Sequence, residues 1–310
     1  PLATPATRAQ ASLWQPLQRE RKRASCNPCN ASASEPLATP ATPSLMMYSP
    51  TLFKDKVALV TGGRSGIGYG IAEHLLKLGA KVIICARKAE PLATAAAQLS
   101  ELGTCVHRPC DIRESDQVEA LADLIETEFG RLDILVNNAG GQFPSLARHI
   151  SDNGWKAVIN TNVNGTFFMT RIMANRFFIP QKEGTIVNII VNHYRGFPGM
   201  AHTGAARAAV ENLTKTLAQE WATYNIRLNC VAPGTIISSG LDTYAEPVKA
   251  LLDQMKEDNL MKRHGTIEDV SNAVLFLASP LSAYTSGTTL YVDGLDHLHS
   301  NRMRMVDAFR

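Results

Sequence analysis

Short apolar segments alternate with helix-length segments along most of this chain, and this alternation restricts its fold more than any other feature. Seven apolar segments have the length of buried strands: residues 56–60, 81–85, 104–108, 133–136, 185–190, 226–231 and 289–292. Stretches of helical length, such as 67–78 and 115–129, separate them. Strands joined by helical crossovers form parallel sheets with helices on both faces. The pattern therefore predicts one α/β domain built on a doubly wound sheet of seven parallel strands.

The first 45 residues differ in composition from the rest of the chain. They are rich in Ala, Pro and Ser, and the string PLATPAT occurs twice, beginning at Pro1 and at Pro36. A segment with so little apolar periodicity cannot bury a core of its own. We interpret residues 1–45 as a disordered leader or an expression remnant and 46–310 as the folded domain. An organelle transit peptide is the alternative interpretation of the leader.

Charge and cysteine usage restrict the partners and the compartment. The net charge of +3 is contributed by the leader, since the remainder carries equal numbers of basic and acidic residues. We therefore expect no nucleic-acid partner, and no apolar run is long enough to span a bilayer. Cys26 and Cys29 form a C-x-x-C string, but no second pair or histidine set accompanies it in the leader, so we expect no metal. Free thiols favour a reducing compartment such as the cytoplasm, with organelle import through the leader left open.

The first predicted strand leads directly into a glycine-rich string, TGGRSGIG, at residues 61–68. Its glycines allow a tight turn and a close approach of the backbone to a pyrophosphate, and the following helix offers free N–H groups and its positive dipole end. The order of strand, glycine turn and helix predicts a nucleotide-cofactor site. We expect this loop to bind the cofactor through Gly62, Arg64, Ser65, Gly66, Ile67 and Gly68.

The end of the second predicted strand bears on the choice of cofactor. An acidic residue there would bind a ribose 2′-hydroxyl and favour NAD, but the chain has the string CARK at residues 85–88. Arg87 and Arg64 could bind a 2′-phosphate through charge-assisted contacts. We therefore predict NADPH as the cofactor. The alternative is that both arginines are simply solvated.

A set of motifs, taken together, resembles the short-chain dehydrogenase/reductase family over residues 53–295. The motifs are TGGRSGIG, CDIR at Cys110, NNAG at Asn137, NVNG at Asn162 and APG at Ala232. The resemblance implies a Rossmann-like fold and a homotetramer. It also implies that Asp111, Ile112, Asn137, Ala139 and Gly140 line the cofactor and that Pro233, Gly234 and Ile236 flank the nicotinamide.

The catalytic residues of that family are mostly replaced. Most members carry a serine followed by Tyr-x-x-x-Lys, and the alignment places Thr203 at the tyrosine, Arg207 at the lysine, and Val191 or Asn192 at the serine. The family's asparagine falls on Asn162. The phenol of a tyrosine has an ordinary pKa of about 10, whereas a threonine hydroxyl is a far weaker acid. Ketone–alcohol exchange through Thr203 is therefore not expected.

Reduction of a carbon–carbon double bond that is conjugated to a thioester does not need a tyrosine phenol as the proton donor. Hydride adds to the β-carbon, and charge that develops on the thioester oxygen is stabilised by donors aimed at it. Arg207 can still bind the ribose and stabilise charge. The candidates that could bind the oxygen or shuttle a proton are Asn162, Tyr194, His202 and Thr203.

Helical spacing adds one further candidate. Thr203, Arg207, Glu211 and Lys215 recur at every fourth residue, so they share one face of a helix. Glu211 could orient a water molecule or fix Arg207. The alternative is an ordinary ion pair between neighbouring turns, worth a few tenths of a kcal/mol.

The departures from the family pattern resemble a narrower group. The strings GGQF (140–143), NIIV (188–191), GFP (196–198) and HTGAARAAVENLTK (202–215) are similar to the peroxisomal trans-2-enoyl-CoA reductase and its bacterial relatives, and to 2,4-dienoyl-CoA reductases. The resemblance implies NADPH-dependent reduction of the C=C bond of a 2-enoyl thioester of the CoA type. Two alternatives stay open: a reductase of a terpenoid or 3-oxoacyl carbonyl, and a cofactor-binding protein without activity. Residues 238–262 are predicted to form a helical lid over the substrate.

Overall fold

A computed structural model of the protein describes residues 48–238 and 254–299. The predicted leader and residues 239–253 of the predicted lid lie outside the described residues. All seven predicted strands are present, with bounds that differ from the prediction by a few residues. They are β1 (Val57–Thr61), β2 (Lys81–Ala86), β3 (Cys105–Pro109), β4 (Ile134–Asn137), β5 (Gly184–Ile189), β6 (Ile226–Pro233) and β7 (Thr289–Val292).

Helices connect the strands. They are α1 (Gly66–Lys77), α2 (Ala89–Ser100), α3 (Ser115–Phe129), α4 (Asp152–Ile159), α5 (Gly165–Met173), α6 (Ile179–Gln181), α7 (Ala201–Glu220) and α8 (Ile267–Ala278). Two π-helical turns, Asn160–Asn164 and Ala174–Phe178, join α4, α5 and α6. Within residues 48–238 and 254–299, none of the helices combines the length and the apolarity that a bilayer crossing requires.

The seven strands form one sheet in which every pair is parallel, in the order β3-β2-β1-β4-β5-β6-β7. This confirms the predicted Rossmann-like sheet. The strand order reverses between β1 and β4, where the connections from the two strands leave in opposite directions. Ligands of such sheets bind in the crevice that opens at this point, at the carboxyl ends of the strands. The fold therefore brings the segments after β1, β4 and β5 to one edge.

The sheet is buried on both faces, which explains why its strands read as continuous apolar runs. Successive side chains of β1 point to opposite faces. Ala58 and Val60 pack with α1 and α8 in one core cluster. Val57 and Leu59 pack with α3 and α5 in the other. The helices thus hold the sheet rigidly, and the loops at its carboxyl edge are carried by a fixed frame.

Candidate active site

The glycine turn after β1 has the backbone geometry that the sequence predicts. Gly62 and Gly66 have φ angles of 67° and 59°, in the left-handed region that favours glycine. Helix α1 begins at Gly66, and the side chain of Ser65 makes no capping hydrogen bond to any described residue. The amide groups of the first helical turn therefore remain available to an anion, as a cofactor phosphate requires.

The turn packs directly on the segment that follows β4. A Cβ atom on Gly68 would lie 2.4 Å from Asn138 Nδ2 and 2.5 Å from the Gly62 carbonyl oxygen, so only glycine fits. Asn138 Nδ2 donates to the Thr61 carbonyl at 3.0 Å. Thr61 Oγ1 accepts from the backbone N–H groups of Asn138 and Ala139 at 3.0 and 2.9 Å. These bonds join the two loops at the point where the strand order reverses.

Asn137 and Asn138 of the NNAG motif lie in different surroundings: one side chain is buried, and the other lines a cavity. The side chain of Asn137, predicted to line the cofactor, donates to Thr170 Oγ1 and Asn188 Oδ1, both at 2.8 Å. It is buried, so any contact with a cofactor comes from its backbone. Asn138, which was not among the predicted cofactor residues, lines the adjacent cavity instead. Its place beside Asn137 in the motif was the available signal.

A cavity of about 270 Å³ lies at the end of β2 and beside the glycine turn. It brings together many of the predicted cofactor residues: Gly62, Arg64, Ser65, Arg87, Asp111, Ile112, Ala139 and Gly140. Lys88, Cys85, Cys110 and Thr161, which were not predicted as cofactor residues, also line it. The predicted residues Gly66, Ile67 and Gly68 lie just outside it, in the first turn of α1. The cavity has the position of an adenosine site in a doubly wound sheet.

The charges around this cavity are mostly positive. Arg64, Arg87 and Lys88 line it, and Asp111 contributes an acidic side chain to its wall. The Asp111 carboxylate accepts from Arg113 Nε at 2.9 and 3.1 Å. The hydrogen bonds from Arg113 hold the pKa of Asp111 below its usual range. Asp111 is therefore already paired within the protein, and the remaining cations favour a phosphorylated ligand.

Arg207 is a buried residue of α7. It is only 8% exposed, and its Nη1 donates to the Ile189 carbonyl at 2.9 Å. Its Nε has no hydrogen-bond partner among residues 48–238 and 254–299. Burial lowers the pKa of Arg207 to about 10, which leaves the guanidinium charged at neutral pH. No carboxylate in the described part of the chain forms an ion pair with it, so this buried cation still has donor capacity for a ligand.

Asn162 and Gly140 lie beside the guanidinium of Arg207. Asn162 lies in a π-helical turn, and its Nδ2 donates to the carbonyls of Gly141 and Val158, both at 2.8 Å. A Cβ atom on Gly140 would lie 2.2 Å from Arg207 Nη2 and 2.6 Å from Asn162 Oδ1. The glycine after β4 therefore allows the guanidinium and the amide to meet at the backbone.

His202 and Thr203 are fully buried at the start of α7. His202 Nδ1 accepts from the backbone N–H of Thr203 at 2.8 Å, so the neutral ring carries its proton on Nε2. That Nε2 is buried without a partner among the residues that the structure describes. Phe143 packs edge-on against the ring at 4.4 Å. Thr203 Oγ1 lies 3.3 Å from the same Nδ1, so its hydroxyl is directed towards the histidine.

Glu211 does not contact Arg207, so the expectation that it fixes the arginine is wrong. Its Oε1 accepts from Lys215 Nζ at 2.7 Å and from Thr289 Oγ1 at 3.1 Å. Its Oε2 lies 3.0 Å from His193 Nε2, a partner that was not predicted from the sequence. Burial raises the pKa of Glu211, but the hydrogen bonds from Lys215 and Thr289 outweigh it and bring the pKa below its usual range.

Tyr194 lies apart from the buried donors. Its side chain is exposed, and its ring lies 6.2 Å from the rings of both Tyr291 and His297. Asn192, one of two candidates for the serine position, donates to Asp293 at 3.0 Å and to Asp296 at 2.9 Å. The contacts of Asn192 tie the loop after β5 to the turn after β7.

The predicted nicotinamide residues stand at the end of β6. Asn192 donates its backbone N–H to the Pro233 carbonyl at 3.0 Å, and Gly234 donates to the Val292 carbonyl at 3.0 Å. Ile236 is buried beside Gly265. A second cavity of about 420 Å³ opens nearby, where Met255 and Met261 of the predicted lid face Tyr291 and Leu295.

Comparisons with known proteins agree with this geometry. Residues 62–294 match the sequence profile of a family described as "Enoyl-(Acyl carrier protein) reductase". The peroxisomal 2,4-dienoyl-CoA reductase of Pongo abelii is 38% identical over 252 residues, which cover 80% of this chain and 86% of that protein.

Two solved structures have similar folds. A citronellol catabolism dehydrogenase of Pseudomonas aeruginosa PAO1 is 39% identical, with a TM-score of 0.73 over 81% of this chain and 98% of that one. A variant of the actinorhodin polyketide ketoreductase, crystallised with NADPH, is 30% identical, with a TM-score of 0.75 over 79% of this chain and 98% of that one. The chain belongs to the short-chain dehydrogenase/reductase family of oxidoreductases.

Proposed function

We propose that this protein uses NADPH to reduce the C=C bond of a 2-enoyl thioester of the CoA type. The observation that carries the proposal is the replacement of the phenolic acid by Thr203. This residue is fully buried beside His202, whose Nε2 donor has no partner within the described ranges. The pocket offers hydrogen-bond donors for a developing oxyanion, but at the tyrosine position it offers no acid strong enough to protonate an alkoxide. The similarity to a 2,4-dienoyl-CoA reductase supports the same class of substrate.

The cofactor assignment rests on the fit of the first cavity to an anionic dinucleotide. The glycine turn leaves the amides of α1 available to a pyrophosphate, and Arg64, Arg87 and Lys88 line the same cavity with positive charges that suit a 2′-phosphate. The acidic side chain in the wall, Asp111, is bonded to Arg113. A ketoreductase of similar fold, crystallised with NADPH, supports this choice.

The residues of the crevice have separate tasks in this reaction. When bound, the nicotinamide supplies a hydride to the β-carbon. Arg207, which donates to Ile189 and lies against Gly140, would bind the ribose hydroxyls and supply positive charge to the site. His202 Nε2 donates to the thioester oxygen as negative charge develops there. Such a donor in a buried site typically contributes about 10²–10³-fold in rate.

A carbonyl reductase is the second candidate, and the similarity to the citronellol catabolism dehydrogenase favours it. Purified protein with NADPH should be assayed with crotonyl-CoA, a longer 2-enoyl-CoA, acetoacetyl-CoA and citronellal. We expect NADPH oxidation with the enoyl thioesters only. Rapid reduction of either carbonyl compound would contradict the proposal. NADPH binding without turnover of any substrate would favour a cofactor-binding protein without activity.

We further infer from the family resemblance that the protein assembles as a homotetramer. Analytical ultracentrifugation of the purified chain tests this, and a monomeric species at micromolar concentration would refute it.

A further inference from the structure

We propose that Phe143 is a positioning residue that covers His202 and keeps water away from its Nε2 donor until an acyl thioester binds. This inference rests on the proposed function, in which His202 Nε2 donates to the thioester oxygen. Such a donor is most effective in a site from which water is excluded, because no water molecule then competes with the oxyanion for it. A group that keeps the imidazole dry therefore assists the reaction by acting through His202.

Phe143 lies on the solvent side of the imidazole. The two rings pack nearly at a right angle, with an interplanar angle of 81° and centroids 4.4 Å apart. His202 is completely buried, whereas Phe143 is 38% exposed, so the phenyl ring covers the imidazole from the surface. Nδ1 of His202 accepts from the backbone N–H of Thr203, and Nε2 is buried without a partner among residues 48–238 and 254–299. An aromatic ring is at best a weak acceptor, so Nε2 keeps its donor capacity for a ligand.

The short segment that carries Phe143 is fixed at both ends. On one side, the Gly141 carbonyl accepts from Asn162 Nδ2 at 2.8 Å. On the other side, Ser145 donates its backbone N–H to the loop after β5 at 2.8 Å. A Cβ atom on Gly154 would lie 3.0 Å from Phe143 Cζ, so the end of the ring rests against α4. Because the backbone is held in this way, rotation of the side chain is the simplest movement that uncovers His202.

The cover makes the donor selective. A buried N–H without a partner is unfavourable, and the free protein retains it because the apolar contact with Phe143 excludes the water that would bond to it. When an acyl thioester enters, the ring turns aside and the thioester oxygen accepts from Nε2. Apolar acyl carbons can replace the contact that the ring gives up, whereas water cannot. His202 is therefore accessible to a thioester with an apolar chain but not to solvent.

The first test measures how well water reaches each histidine. Full-length protein without substrate is incubated in deuterated water, and exchange of the Cε1 hydrogen of each imidazole is followed by mass spectrometry. In the wild type we expect His202 to exchange slowly, like the buried His74. In Phe143→Ala it should exchange several-fold faster, towards the rate of the exposed His149. Slow exchange of His74 in the same variant shows that the fold is intact, and equally slow exchange of His202 there would overturn the inference.

The second test measures activity. In Phe143→Ala the thioester must displace water from Nε2, and the net contribution of one ordinary hydrogen bond corresponds to about 2- to 13-fold in rate. We expect kcat/KM with an enoyl-CoA to fall by about this factor while the affinity for NADPH is unchanged. Phe143→Leu, which keeps a smaller apolar cover, should lie between Phe143→Ala and the wild type.

Leu146→Ala is the matched control for both tests. Leu146 is an exposed apolar residue three positions further along the same loop, and this variant should behave as wild type in exchange and in activity. Wild-type kcat/KM in Phe143→Ala, or a loss that weaker NADPH binding explains in full, would overturn the inference.

The wild-type assay distinguishes the two levels of the proposal. If wild-type protein oxidises no NADPH with any enoyl thioester, the proposed function fails, and the role of Phe143 in the reaction fails with it. If wild-type protein turns over and both Phe143 variants do so equally well, only the inference about Phe143 fails.

Discussion

Replacing Gly140 with alanine tests whether the position of Arg207 controls the site. The added Cβ would lie 2.2 Å from Arg207 Nη2 and 2.6 Å from Asn162 Oδ1, well inside van der Waals contact. The guanidinium is buried and bonded to the Ile189 carbonyl, and Asn162 is bonded to Gly141 and Val158, so neither can yield without losing hydrogen bonds. We expect the guanidinium to be displaced from its present position.

The cost follows from the contacts that would be lost. A hydrogen bond from a charged donor contributes about 1.5–3 kcal/mol, and overpacking a close-packed contact costs about 1–3 kcal/mol. If the displaced guanidinium also loses one hydrogen bond to the bound ligands, of the same size of about 1.5–3 kcal/mol, kcat/KM should fall by about 10- to 150-fold, at about 1.4 kcal/mol per factor of ten. Steady-state NADPH oxidation with an enoyl-CoA measures this loss, and NADPH titration by fluorescence measures its share in cofactor binding.

Gly141→Ala provides a matched control one residue away. A Cβ at Gly141 would meet no heavy atom within 4 Å in the described part of the chain, and its φ lies outside the left-handed region. This variant should keep wild-type activity and NADPH affinity. Full activity in Gly140→Ala, or an equal loss in both variants, would refute the reasoning that Arg207 must lie against the backbone of Gly140.

Three further substitutions test other parts of the site and the frame. Arg87→Asp should weaken NADPH binding far more than NADH binding, because only NADPH presents a 2′-phosphate to this side chain; equal effects in titrations with both cofactors would remove Arg87 from phosphate recognition. His202→Ala should lower kcat by about 10²–10³-fold through loss of the oxyanion donor. An unchanged kcat, or a loss explained by weaker NADPH binding alone, would assign His202 a purely structural role. Thr266→Ala should lower the free energy of unfolding by about 1 kcal/mol, measured by urea denaturation, because it removes the side-chain cap of α8. Hydrogen bonds from Arg263 and Thr266 hold the pKa of Asp269 below its usual range, so the stability they contribute is present above the pH at which an unfolded aspartate titrates and is lost as the pH falls below it. If urea unfolding of the wild type and of Thr266→Ala shows the same loss of stability in acid, Asp269 does not act through this cap.

The residues expected to bind the cofactor could be predicted from the sequence because the motifs that identify them are short and local. The glycine turn, the cationic end of β2 and the segment after β4 each lie within a few residues of a strand end, and parallel strands bring those ends to one edge. Arg64, Arg87, Ala139 and Gly140 therefore line one cavity, as their motifs predict. The sequence could not show that Cys85 and Cys110 line this cavity, because a cysteine in an apolar run is indistinguishable from an ordinary core residue.

The arrangement of the candidate catalytic residues depends on contacts between segments that are distant in sequence. The spacing of α7 correctly placed Glu211 beside Lys215, but it could not show that Glu211 also pairs with His193 from the loop after β5. Nor could it show that Tyr194 is exposed beside His297. These partners follow from the packing of loops on the sheet.

The sequence by itself predicted the number of strands, their parallel arrangement and the glycine turn, and its alignment with the family led to the prediction that the phenolic acid is missing. Those properties follow from hydrophobic periodicity and from residue identity, which act over short stretches of chain. Only the tertiary structure decided that Arg207 stands as a buried cation against Gly140, that Glu211 pairs with His193, and that Asn137 faces inward while Asn138 lines the cavity. Side-chain pairing depends on which distant segments meet at the carboxyl edge of the sheet, and burial at that edge makes each pairing energetically specific.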